Sequence, residues 1–82
     1  MRLIDFELRG DHITLDALLK ATGLAASGGG AKAMVAEGRV QVDGQDEHRK
    51  TAKIRAGQVV AVAGARIRVG AAPQAPDGAP PG

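Results

Sequence analysis

The sequence contains no cysteine, tryptophan or tyrosine, and Phe6 is its single phenylalanine. Without cysteine there is no disulfide framework, zinc knuckle or thiolate nucleophile. Without a set of aromatic rings, a strand surface cannot hold single-stranded nucleic acid by stacking its bases. No apolar run approaches the roughly 20 residues that span a bilayer. The opening, MRLIDFELRG, sets acids inside its apolar pattern, unlike a secretory leader, so the cytoplasm is the expected compartment. Acidic residues are missing from one particular place. Residues 49–68 hold six bases, Arg49, Lys50, Lys53, Arg55, Arg66 and Arg68, and no Asp or Glu.

What is present fits one small domain. A chain of 82 residues buries only about 60% of its unfolded surface, so its stability margin is thin. The net charge of +2 is uneven: residues 1–31 carry three bases and four acids, residues 32–68 eight bases and four acids. The positive charge is therefore concentrated in the second half of the folded part. Residues 1–70 are expected to form the domain. Residues 71–82, AAPQAPDGAPPG, are a Pro/Ala/Gly stretch with nothing to bury, expected to be a disordered tail.

Ile4, Phe6 and Leu8 alternate with Asp5, Glu7 and Arg9, which predicts a strand ended by Gly10, with Phe6 in the core. Thr14 is placed to cap a short helix carrying Leu15, Leu18 and Leu19 on one face and stopped by Gly23. Ser27 predicts the cap of a second helix, with Ala31, Met34 and Val35 as its apolar stripe and Gly38 as its stop, after a link of three to four residues. Gly28-Gly29-Gly30 in its first turn each cost roughly 0.5–1 kcal/mol relative to alanine. Val40 and Val42 then lead into Asp43-Gly44, a signal for a type I′ hairpin turn. Residues 45–53 read as polar and irregular. Strands follow over Gln58–Ala63 and around Ile67 and Val69, joined at Gly64-Ala65. The expected fold is α+β, with two short helices covering one face of a small, mostly antiparallel sheet.

Few residues suit catalysis. His12 and His48 lie in separate polar turns without ligand-like spacing, and Asp43, Asp46 and Glu47 lack the alternating oxygen ligands of a calcium loop. In SGGGAK, Lys32 is followed by alanine and position 33 is not glycine, so neither the phosphate-loop nor the dinucleotide pattern is met. No enzyme activity, metal, cofactor or small-molecule substrate is expected. The glycine-rich helix start, Gly28 included, does expose backbone N–H groups that a phosphate can approach, with Lys32 one turn on. Together with the one-signed basic run, this points to a phosphate backbone held by shape and charge.

The segments ITLDALLKATG, SGGGAKAMVAEGRVQVDG, EHRKTAKI and AGQVV carry a resemblance. Over about residues 12–64 the chain resembles the RNA-binding domain of ribosomal protein S4, and more closely the short stand-alone bacterial proteins built from it. The resemblance implies the αL motif, a helix pair followed by a G-x-V-x-V-[ND]-G hairpin, here Gly38 to Gly44. It implies Ser27, Lys32, Arg39, Asp43 and the bases from Arg49 to Lys53 as RNA-facing. With Gly28 and Arg55 these form the candidate set. Gly28 stands where the family usually has arginine, which removes one long-chain phosphate contact, and Asp43 stands where asparagine is commoner. The implied partner is structured RNA, ribosomal RNA or the ribosome, bound by a monomer. A protein-interaction adaptor with an acidic partner, and a duplex DNA binder, are the competing expectations. RNA competition and matched RNA and DNA duplexes separate them.

Overall fold

The computed structural model describes residues 2–62 and 64–71. The elements are β1 (Arg2–Leu8), β2 (Ile13–Thr14), α1 (Leu15–Ala21), α2 (Gly28–Ala36), β3 (Val40–Val42), β4 (Gln45–Asp46), β5 (Lys53–Ile54), β6 (Val59–Val62) and β7 (Ala65–Ala71). Five strands form one sheet in the order β1-β7-β6-β3-β4, while β2 and β5 make a separate antiparallel pair. All pairings are antiparallel except β1 with β7. The α+β fold with a mostly antiparallel sheet is as the sequence implies.

Register explains the core. Ile4, Ile67, Val60 and Val42 line up across four strands, and Val40, Val62 and Ala65 form the adjoining row. Because alternate residues point to opposite faces, this places one apolar surface on the sheet. Leu15, Leu18 and Leu19 of α1 and Ala31 and Val35 of α2 join Val40, Val60, Val62, Ile67 and Val69 in a single buried cluster. Phe6 packs against that cluster half-buried rather than inside it. On β7, Arg66 and Arg68 alternate with the buried residues and are exposed, and Arg68 meets Asp5 of β1 at 2.8 Å.

Several local expectations hold for physical reasons visible in the backbone. Asp43 and Gly44 both have positive φ, 52° and 83°, and Val42 pairs with Gln45, so the two-residue loop has the type I′ signature. Ser27 accepts the N–H of Gly30 at 3.1 Å, capping α2. Gly38, at φ 74°, ends α2: its N–H donates to the Val35 carbonyl and that of Arg39 to Met34, the Schellman arrangement.

Other expectations are corrected. The link between helices is residues 22–27, longer than three to four, because α1 stops after two turns. Part of the expected irregular stretch 45–53 is ordered as β4 and β5, whose partners in β3 and β2 supply a regularity that the polar residues do not announce. The strand expected from Gln58 begins at Val59, since the Gln58 side chain turns to the backbone of Arg55. Its expected end, Ala63, lies outside the described residues. Ala71 pairs with Leu8 and so belongs to β7 rather than to the tail, and the tail expected over 72–82 falls outside the described residues.

The glycines of α2 leave room for change. A Cβ on Gly29 would meet only the Ser27 hydroxyl oxygen, at 3.8 Å, and the residue has ordinary helical φ. Gly29→Ala should raise stability by about 0.5–1 kcal/mol through lower unfolded-state entropy. Urea denaturation followed by circular dichroism should show a higher midpoint with an unchanged slope.

Candidate nucleic-acid interface

The loop between β4 and β5 carries Arg49 and Lys50, with Lys53 opening β5, and it packs across the start of α1. The N–H of Leu15 donates to the Ala52 carbonyl at 2.9 Å and that of Asp16 to the Lys50 carbonyl at 3.0 Å. These are first-turn donors with no partner inside the helix. Thr14, expected to cap α1, has extended backbone geometry at the cap position but no side-chain capping bond: the Asp16 N–H goes to the Lys50 carbonyl and the Ala17 N–H to the Asp16 carboxylate. Thr14 pairs with Lys53, and Ile54, buried beside Ile13, fixes the loop's far end.

Glu47 shapes the near end. Its Oε2 accepts the N–H groups of both His48 and Arg49 at 3.1 Å, and the Arg49 guanidinium lies 3.8 Å from the same atom. The Arg49 side chain is 82% exposed. Lys53 and Arg55 flank buried Ile54 and leave the chain on the same side. Among the described residues, Lys32, Lys50, Lys53 and Arg55 form no ion pair, whereas Arg39 is held by Glu37 at 2.9 Å. A hollow of about 280 Å³ lies on the loop, lined by Arg49, Thr51, Ala52 and Lys53. A larger one, about 350 Å³, sits over β1 and β7, where Asp5 and Glu7 accompany an Arg68 already paired with Asp5, which suits a phosphate poorly.

The candidate residues fall into three groups. Arg49, Lys50 and Lys53 gather where α1 begins and α2 ends, since His48 lies against Gly38, and Arg39 follows Gly38 directly. Ser27 and Gly28 stand at the opposite end of α2, about 13 Å along a nine-residue helix, with Lys32 a turn in. Asp43 and Arg55 meet through Gln58. The Asp43 carboxylate accepts the Val59 N–H at 3.0 Å and the Gln58 amide at 3.2 Å, while Gln58 Oε1 accepts the Arg55 N–H at 2.7 Å. Asp43 therefore ties the hairpin turn to β6, a task that its position after two valines does not reveal.

A family model for the S4 domain matches residues 6–70. The chain belongs to the S4-domain family. It is 50% identical over 58 residues to YbcJ of Escherichia coli and equally to the YbcJ protein of Shigella flexneri, covering 71% of this chain and 83% of each relative. The solution structure of the Escherichia coli protein superposes with a TM-score of 0.61 and 42% identity, over 87% of this chain and 89% of that one. That structure is described as revealing an αL motif involved in RNA binding. Among the described residues of this S4 domain no group of three or more His, Asp or Glu could hold a metal ion.

Reading by residue type missed Glu47, Gln58 and Asp16, which position the S4 domain's bases without being basic. Glu47 and Asp16 did carry signals: an acid two residues before Arg49, and an acid in a helix first turn. The Thr14 hydroxyl, the Ala17 N–H and the nearby Lys50 charge hold the Asp16 carboxyl below its ordinary range. A lowered carboxyl contributes stability that is present above its unfolded value of about 4 and is lost as pH falls through the lower folded value. Asp16→Asn should therefore be less stable than the parent at pH 7. The difference should vanish on acidification below the folded value, as read from thermal melts at both pH values.

Proposed function

We propose that this S4 domain binds structured RNA as a cytoplasmic monomer, with ribosomal RNA or the ribosome as its target. Ser27, Gly28, Lys32, Arg39, Arg49, Lys50, Lys53 and Arg55 form the binding surface, with Asp43 shaping the hairpin beside it. The observation that carries the reading is the Arg49–Lys53 loop: exposed bases, two of them without ion pairs, held on the start of α1 by main-chain bonds. The αL motif described in the related solution structure supports the choice of RNA.

The roles differ by group. Arg49, Lys50 and Lys53 supply phosphate contacts, and the fixed loop backbone spares them part of the ordering cost of binding. Asp43 shapes the hairpin rather than facing phosphate, since both of its oxygens accept hydrogen bonds from within the domain. Lys32 and the bare helix start at Gly28 extend the contact along α2. No helix among the described residues is long and apolar enough to cross a membrane.

The test is fluorescence anisotropy at several salt concentrations with a ribosomal RNA hairpin, a matched DNA duplex and a single strand. Replacing Arg49, Lys50 and Lys53 together by alanine should weaken hairpin binding about tenfold, three exposed contacts of roughly 0.5 kcal/mol each. The salt slope should fall by about one per lost contact. Equal affinity for the DNA duplex would replace RNA by duplex in general. Absence of binding at low salt by the folded protein would favour a protein partner.

A further inference from the structure

His48 is absent from the RNA-facing set above, yet its ring occupies a defined place at the end of α2, just before the basic loop. It is exposed, it precedes Arg49 and Lys50, and its Cε1 lies 3.3 Å from where a Cβ on Gly38 would stand. The ring thus rests over a residue without a side chain, at the C-terminal end of α2. That end carries partial negative charge, so a cation is tolerated beside it. Histidine is the side chain whose ordinary charge change falls between pH 5 and 8.

The charged groups around the ring leave that charge available. Glu37 and Arg39, on either side of Gly38, pair with each other at 2.9 Å. Glu47 spends Oε2 on the His48 and Arg49 N–H groups and lies beside the Arg49 guanidinium. Neither carboxylate forms an ion pair with the His48 ring among the described residues. On its other side the chain continues into Arg49 and Lys50, so a phosphate drawn to those bases comes within reach of the imidazole.

Resting on the RNA reading above, we propose that His48 is a further RNA contact whose protonation adds one phosphate-directed charge, so that RNA binding tightens as pH falls through the histidine range. Binding takes up a proton at the ring, because the phosphate stabilises the imidazolium. His12, which precedes β2, serves as the control histidine.

The experiment is anisotropy with the fluorescein-labelled ribosomal RNA hairpin between pH 5.5 and 8 at fixed ionic strength, using the parent, His48→Gln, His48→Lys and His12→Gln. Circular dichroism at each pH confirms that every variant is folded. The parent and His12→Gln should bind about threefold tighter at pH 5.5 than at pH 8, the scale of one exposed charge contact. His48→Gln should lose that gain and match the parent at pH 8, while His48→Lys should bind tightly at both ends. A pH gain retained by His48→Gln, or lost in His12→Gln instead, would overturn the proposal while leaving the RNA reading intact. No binding by the parent at any pH would overturn both.

Discussion

Two main-chain hydrogen bonds, from the first-turn N–H groups of Leu15 and Asp16 to the carbonyls of Ala52 and Lys50, hold the proposed RNA-facing surface of this domain together. A helix start needs acceptors, and a loop crowded with positive side chains needs something to oppose its own repulsion. Each supplies what the other lacks. The carbonyls meet the positive end of α1, while the Lys50 side chain is left free to face solvent and Ala52 packs against the core. The β2–β5 pair and the Glu47 turn close the loop at its two ends, so its conformation is set by the fold before any ligand arrives.

The rest of the molecule serves to bring those pieces to one place. The valine and isoleucine rows of the sheet give the helices a floor, and burial of Leu15, Leu18 and Leu19 fixes the rotation of α1 upon it. Gly38 ends α2 where the loop passes, and the Asp43 carboxylate fastens the hairpin to β6. A domain with so small a core has little stability to spare. The glycines at the start of α2 give some of it up. Ser27 restores part by capping Gly30.

The parts legible in the sequence are those specified by near neighbours. The alternation of β1, the leucine face of α1, the Ser27 cap and the Asp43-Gly44 turn each depend on residues within one or two turns of chain. So does the family resemblance, whose helix pair and hairpin are contiguous. What stayed hidden depends on distant partners. Thr14 has the right chemistry for a cap, but the Lys50 carbonyl takes the Asp16 N–H and the Asp16 carboxylate takes that of Ala17. The two-residue strands β2, β4 and β5 exist only through their pairings. β1 lies parallel to β7, the last strand, a choice that alternation alone does not make. In the candidate site the bases were visible as a charge run, whereas Glu47, Gln58 and Asp16 act through the backbone or through a neighbour and leave weaker marks in composition.

The central claim is that the basic loop is docked on α1 in the free protein. Amide hydrogen exchange at Leu15 and Asp16, resolved by NMR without RNA, tests it most directly. First-turn helix amides exchange readily unless an acceptor outside the helix holds them. Docking predicts that both amides exchange far more slowly than the open-loop amides and approach the protection of core strands such as β6. Exchange of Leu15 and Asp16 at the rate of unprotected loop residues would contradict the account, and would make loop order a consequence of binding.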